Sequence, residues 1–124
     1  MIIKFGEFMR VENYNPKIAE GGCVVRSISK SLNKNCDILI KELKLIGNIA
    51  DESTFEHYLL NHNFNIIDNY KDKFLKDISL DGNNIVFAHK DNWYHMISVI
   101  DNVIYDKNSM SDLEDLKIIK VYKK

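Results

Sequence analysis

The chain has 124 residues and a mass of 14.5 kDa, enough for one domain that buries about two-thirds of its unfolded surface without a disulfide or metal as a staple. Its formal charge is -1, its pI about 6.4, and its 28% charged residues mix both signs along the chain. That balance leaves no electrostatic footprint for nucleic acid or an anionic membrane.

Residues 1–8 lack the charged region, apolar core and cleavage site of a secretion signal, and no apolar run is long enough to span a bilayer. With only two cysteines, Cys23 and Cys36, a cytoplasmic protein with reduced thiols is expected. Residues 2–8 alternate loosely and read as a short strand or an extended arm. Residues 11–19 hold Asn13, Asn15 and the only proline, Pro16, and read as a turn-bearing loop.

Apolar Val24, Val25, Ile28 and Leu32 then fall on one helical face, predicting a first helix over 22–32. A second helix is expected over 36–46, with Leu39, Ile40, Leu43 and Ile46 on one face, Asn35 as N-cap and Gly47 just past the end. Ser53 and Glu56 have capping-box spacing and predict a third helix to about His62 that buries Phe55, Tyr58 and Leu59. Residues 64–67 read as a short strand and 71–78 as a short helix with Phe74, Leu75 and Ile78 inward. After the turn signal Asp81-Gly82-Asn83-Asn84 the pattern becomes β. Strands are expected over 85–89, 93–100, 103–105 and 118–122. Helices followed by strands in this way predict an α+β protein with a helical amino half and an antiparallel carboxyl half.

Chemistry concentrates at Gly21-Gly22-Cys23. The glycines permit a tight turn and close approach of a substrate, and Cys23 falls in the first turn of the helix. There, unpaired N–H groups and the positive end of the helix dipole favour a thiolate, the nucleophilic form. A small buried hydrophobe opening a core helix is the plain alternative.

The second half of the site lies seventy residues on. If Asp101-Asn102 is a two-residue turn, Ile100 faces Val103, Ile97 faces Asp106 and His95 faces Asn108. His95, Ile97, Asp106 and Asn108 then share one face, with Asp106 the diagonal neighbour of His95. A carboxylate there can fix the imidazole tautomer that accepts a thiol proton. A strand histidine satisfied by a neighbour is the alternative for His95 alone.

Asn15-Pro16-Lys17, then Gly21-Gly22-Cys23-Val24-Val25-Arg26-Ser27, then His95 and Asp106 across a hairpin, resembles the papain-like cysteine peptidase superfamily. The likeness is to its small phage-type members and, more distantly, to the leader peptidases of bacteriocin transporters. Gly22 stands where that pattern has an acidic residue and Ser27 where it has alanine. The resemblance implies a papain-like fold, Cys23 as nucleophile, His95 as general base and acid, and Asp106 as orienting acid. It implies an oxyanion site formed by the Cys23 N–H and an upstream side-chain amide, for which Asn15 is the candidate. The substrate would be a peptide or isopeptide, with deamidation or amide exchange open to the same groups, and no metal or cofactor is called for. A non-catalytic binding module on the same scaffold, such as a phage-borne inhibitor of a host protein, is the rival expectation.

Other signals read as structural. His57 and His62 are off a common helical face, and a zinc site from His89, His95 and Cys23 matches no compact motif. Cys36 is expected to face the core. Of Trp93 and Tyr94 one is expected at the cleft and one in the core, and Arg26 is expected to brace the helix start through a carboxylate. Lys71-Asp72-Lys73 and the lysines of 120–124 read as solvated faces.

Overall fold

A mixed sheet separates two hydrophobic clusters in the computed structural model, which describes residues 9–124. In chain order the elements are β1 (Arg10–Asn13), α1 (Gly22–Leu32), α2 (Cys36–Ile46), α3 (Glu52–Leu60), β2 (Asn65–Ile67), β3 (Asn83–Lys90), β4 (Trp93–Ile100), β5 (Val103–Asp106), the single-turn α4 (Met110–Leu113) and β6 (Lys117–Lys123). The six strands lie in the order β1-β5-β4-β3-β6-β2. The expectation for residues 2–8 lies outside the described residues.

Alternation along the strands sends neighbouring residues to opposite faces, which is why one sheet supports two clusters. On one face Val25 and Ile28 of α1, Leu39 and Leu43 of α2, and Phe55 and Leu59 of α3 pack on Ile85, Met96 and Tyr122. On the other, Leu75, Ile78, Leu80, Leu113 and Leu116 cover Val86, Ile97, Val99, Ile104 and Val121. Burying each such side chain contributes about 1.5–3 kcal/mol. Among the described residues no helix is long and apolar enough to cross a membrane.

The mixture of helices and strands is as expected, but the sheet is not purely antiparallel. Arg10–Asn13, expected within a loop and its approach, adds to the sheet edge parallel to β5, pairing Arg10 with Val103 and Asn13 with Asp106. The first two helices have the predicted bounds, and the Asn35 side chain accepts from the Asp37 and Ile38 N–H groups at 2.9 and 3.2 Å.

The third helix starts earlier than its capping-box reading. Asp51 is its N-cap, its carbonyl accepting from Thr54 and Phe55, while Glu56 reaches instead to Lys120 Nζ at 2.7 Å and Tyr122 Oη at 2.8 Å. A tertiary ion pair thus takes the side chain that the local motif reserved for capping, and Lys120 is not on a solvated face. Of the helix expected over 71–78 only a 3-10 turn at Leu75–Asp77 forms. Asp72, at φ 67°, donates its N–H to Ile118 at 2.9 Å, so the segment is tied to β6, and Phe74 stays exposed.

Candidate active site

Glycine geometry sets where α1 begins. Gly21 caps the helix at φ 89°, in the left-handed region, and a Cβ there would lie 2.4 Å from Val25 Cγ2. Its carbonyl accepts from Val24 and Val25 at 3.1 and 3.4 Å. The next two residues therefore enter the first turn, with Gly22 exposed and Cys23 half-buried at the helix start.

The hairpin has the predicted turn. Asp101 and Asn102 adopt φ 49° and 65°, the pair of positive values that a two-residue type I′ turn needs. Ile100 pairs with Val103, Val99 with Ile104 and Ser98 with Tyr105. The turn is pinned by Asn102 Oδ1, which accepts from the Leu80 N–H at 2.6 Å and the Ser79 hydroxyl at 3.1 Å. With register fixed there, His95 and Asp106 come to one face as the parity argument requires.

The ladder between β4 and β5 ends at Ser98 and Tyr105, while β4 continues back to Trp93. The start of α1 meets this open end. Cys23 and His95 line one cavity there, and the His95 imidazole and the Met96 backbone both act to lower the Cys23 thiol pKa. His95 donates from Nε2 to Asp106 Oδ2 at 2.9 Å, which leaves Nδ1 as the ring nitrogen outside that bond. Both ring and carboxylate are buried, at 4% and 1% exposure.

Three further groups hold this arrangement. Asn108 donates to Asp106 Oδ2 from its main chain at 3.2 Å and from Nδ2 at 3.1 Å. Arg26 lies 3.5 Å from Asp106 Oδ1, so the carboxylate it braces is the one that orients His95. Trp93 stacks on the His95 ring, with centroids 4.7 Å apart and planes inclined by 22°. Cys23, Arg26, Trp93, Tyr94, His95 and Asn108 line one open cavity of about 290 Å³.

Competing effects set the charges. Burial pushes the Cys23 thiol up, but the hydrogen bonds from His95 and Met96, with the charges of His95 and Arg26, outweigh it and hold the thiol below its ordinary value. Burial likewise lowers His95, yet its hydrogen bonds to Asp106 and Cys23 and their charges bring it up to about 9. Asp106 is raised by burial and lowered more strongly by the His95 hydrogen bond and charge, the Asn108 N–H and Arg26. All three shifts favour the charged forms, a thiolate beside an imidazolium beside a carboxylate.

Several expectations need correction. Asn15 is exposed and does not line the Cys23 cavity. The Tyr14 N–H donates to the Asp106 carbonyl at 3.0 Å and its hydroxyl lies 3.0 Å from Ser29 Oγ, which anchors that segment and leaves the next residue in solvent. Neither Trp93 nor Tyr94 is in the core; they are 40% and 57% exposed and both border the cavity. His89 pairs with Tyr94 and so faces away from His95, which pairs with Ala88. Among the described residues no three His, Cys, Asp or Glu side chains converge as a metal-binding group. Cys36, by contrast, packs against the core as expected, half-buried with its sulfur 3.5 Å from Ser29 Oγ.

Asn108 and Trp93 are the partners to which sequence reading gave no role. The signal for Asn108 was present, since it falls two residues beyond Asp106 and opposite His95.

Neither protein-family models, nor curated proteins, nor solved structures match the chain. The functional reading therefore rests on the side chains and their geometry.

Proposed function

We propose that the chain is a cysteine hydrolase of papain-like type that cleaves a peptide or isopeptide amide through an acyl-enzyme. The observation that carries this reading is that Cys23, at a helix start, lines one cavity with a buried histidine whose Nε2 is bonded to Asp106 at 2.9 Å. A depressed thiol pKa beside a hydrogen-bonded base is the arrangement that nucleophilic catalysis needs.

In this reading the Cys23 thiolate attacks the amide carbonyl carbon and the oxygen takes the negative charge. The Cys23 N–H, among the donors a helix start leaves without intrahelical partners, stabilises that oxyanion. The imidazolium of His95 gives its proton to the departing nitrogen as the C–N bond breaks, leaving a thioester and a neutral imidazole. Neutral His95 then takes a proton from water as its oxygen attacks the thioester. Release of the carboxylic acid regenerates the thiolate and imidazolium. Asp106 keeps the ring oriented throughout and stays ionised.

A second reading, a binding module without turnover, draws on the position of Asn15: outside the cavity it supplies no second oxyanion donor. Alkylation with iodoacetamide near neutral pH separates the two. Selective labelling of Cys23 over Cys36, abolished by His95→Ala, is expected of the hydrolase. Slow, equal labelling of both cysteines overturns it. Cys23→Ser is expected to keep the fold and lose hydrolysis.

A further inference from the structure

The cavity beside Cys23 is unbalanced in charge. Arg26 and Lys107 line it, and its lining contains no aspartate or glutamate. Arg26 is only 5% exposed, yet its Nε has no hydrogen-bond partner. An unpartnered buried donor is costly unless something satisfies it. Its one carboxylate neighbour, Asp106, is 3.5 Å from a different nitrogen and is already bonded to His95 and Asn108.

Neighbouring acids do not compensate. Glu20, the nearest acidic residue before Cys23, is ion-paired with Lys44. Among the described residues Lys107 makes no ion pair. At Gly22, directly before Cys23, a Cβ would meet nothing within 4 Å, so that wall of the cavity is open to a substrate.

We propose that the cavity selects amide substrates that carry a carboxylate close to the scissile bond, with Lys107 and Arg26 as the groups that receive it. This rests on the hydrolase reading above and adds the chemical class of its substrate. The carboxylate can be an acidic side chain or a free chain terminus. In either case it meets the positive charges of Lys107 and Arg26 and brings the reacting carbonyl to the sulfur.

Two alkylating agents of nearly equal shape test it. Iodoacetate carries a carboxylate and iodoacetamide does not, so the ratio of their rates at Cys23 reads the preference, and any change in thiolate population cancels. Lys107→Glu is expected to lower that ratio about fivefold at low salt, as reversal of one nearby charge requires, with a smaller drop at high salt. An unchanged ratio, with Cys23 still labelled faster than Cys36, overturns the substrate class alone. Cys23 no faster than Cys36 with either reagent overturns the hydrolase reading and this inference with it.

Protection of Cys23 from iodoacetamide by short acetylated alanine peptides distinguishes the source of the carboxylate. Protection by a peptide with an internal aspartate and an amidated end assigns the site to acidic side chains. Protection by a peptide with a free end and no aspartate assigns it to a terminus. Equal protection by the peptide that has neither overturns the proposal.

Discussion

Asp106 holds His95 through one ring nitrogen: its Oδ2 accepts from Nε2 at 2.9 Å while Asn108 and Arg26 hold the carboxylate in turn. Geometry and charge are therefore separable. Asp106→Asn retains an acceptor oxygen of the same shape and removes the charge. The His95 pKa is then expected to fall from about 9, because the Asp106 hydrogen bond and charge are among the effects that raise it. Hydrolysis is expected to drop about a hundred-fold or more, since the amide can also present its NH₂ and favour the wrong tautomer. The histidine titration followed by NMR checks the first expectation independently of any substrate. Loss of the charge also leaves Arg26 buried without a counter-ion, so stability is expected to fall by about 3 kcal/mol in denaturant unfolding.

The Cys23 and His95 shifts define a pH window. His95 is raised from 6.5 to about 9, so the stabilisation of its charged form is fully present below 6.5 and is lost as pH rises through about 9. Cys23 is lowered, so its contribution is present above the ordinary value of 9.0 and is lost as pH falls through its depressed value. Iodoacetamide labelling of Cys23 is expected to rise with a midpoint below 9.0. In His95→Ala the largest single effect on the thiol, burial, loses its main opposition, and the midpoint is expected to move upward. Rates measured across pH for both proteins decide this, and a common midpoint contradicts the ion pair. Hydrolysis is expected to fall above about pH 9, where His95 no longer carries the proton for the leaving nitrogen.

What the sequence disclosed depended on how local the cause was. The bounds of α1 and α2 follow from apolar spacing and from Asn35, whose side chain caps within its own turn. The approach of His95 to Asp106 was legible because a two-residue turn fixes the register of everything beyond it. The start of α3 was misread because Glu56 answers to Lys120 and Tyr122, more than sixty residues away. The parallel pairing of β1 with β5 is similarly long-range, and nothing in Arg10–Asn13 announces it. The resemblance points to Asn15 as a side-chain amide upstream of Cys23, whereas its orientation is decided by what Tyr14 bonds to. The open end of the β4–β5 ladder, which admits Cys23, is a property of how far two strands stay paired.

Gly21 is the position where the backbone itself limits the site. At φ 89° an L side chain is strained, and a Cβ would press on Val25, which is fully buried. Gly21→Ala is expected to cost about 2 kcal/mol, from left-handed strain and overpacking together. Gly22→Ala, at φ 44° but with no atom within 4 Å of the added carbon, carries the strain without the clash. Unfolding in denaturant should therefore rank the two substitutions, with Gly21→Ala the more destabilised. The reverse order contradicts the packing argument. Because Gly21 sets the start of α1, Gly21→Ala is also expected to slow Cys23 alkylation, as a displaced first turn moves the sulfur from His95 and the Met96 N–H.

Trp93 tests whether the imidazole needs its aromatic cover. The indole stacks on His95 with centroids 4.7 Å apart, while Trp93 itself remains 40% exposed, so it is a lid on the ring and not a core residue. Trp93→Ala removes a half-buried indole, and global stability is expected to fall by about 1–2 kcal/mol. It admits water to one face of the ring. Water relieves the burial that lowers His95, the largest single effect on it, so the His95 pKa is expected to move up, while the ring loses the face that holds its orientation. Hydrolysis and Cys23 alkylation at neutral pH are expected to fall together, whereas Trp93→Phe keeps an aromatic face over the ring and restores most of both. Loss of stability by several kcal/mol in Trp93→Ala would assign the indole to packing instead, and an unshifted His95 titration would remove its influence on the imidazole.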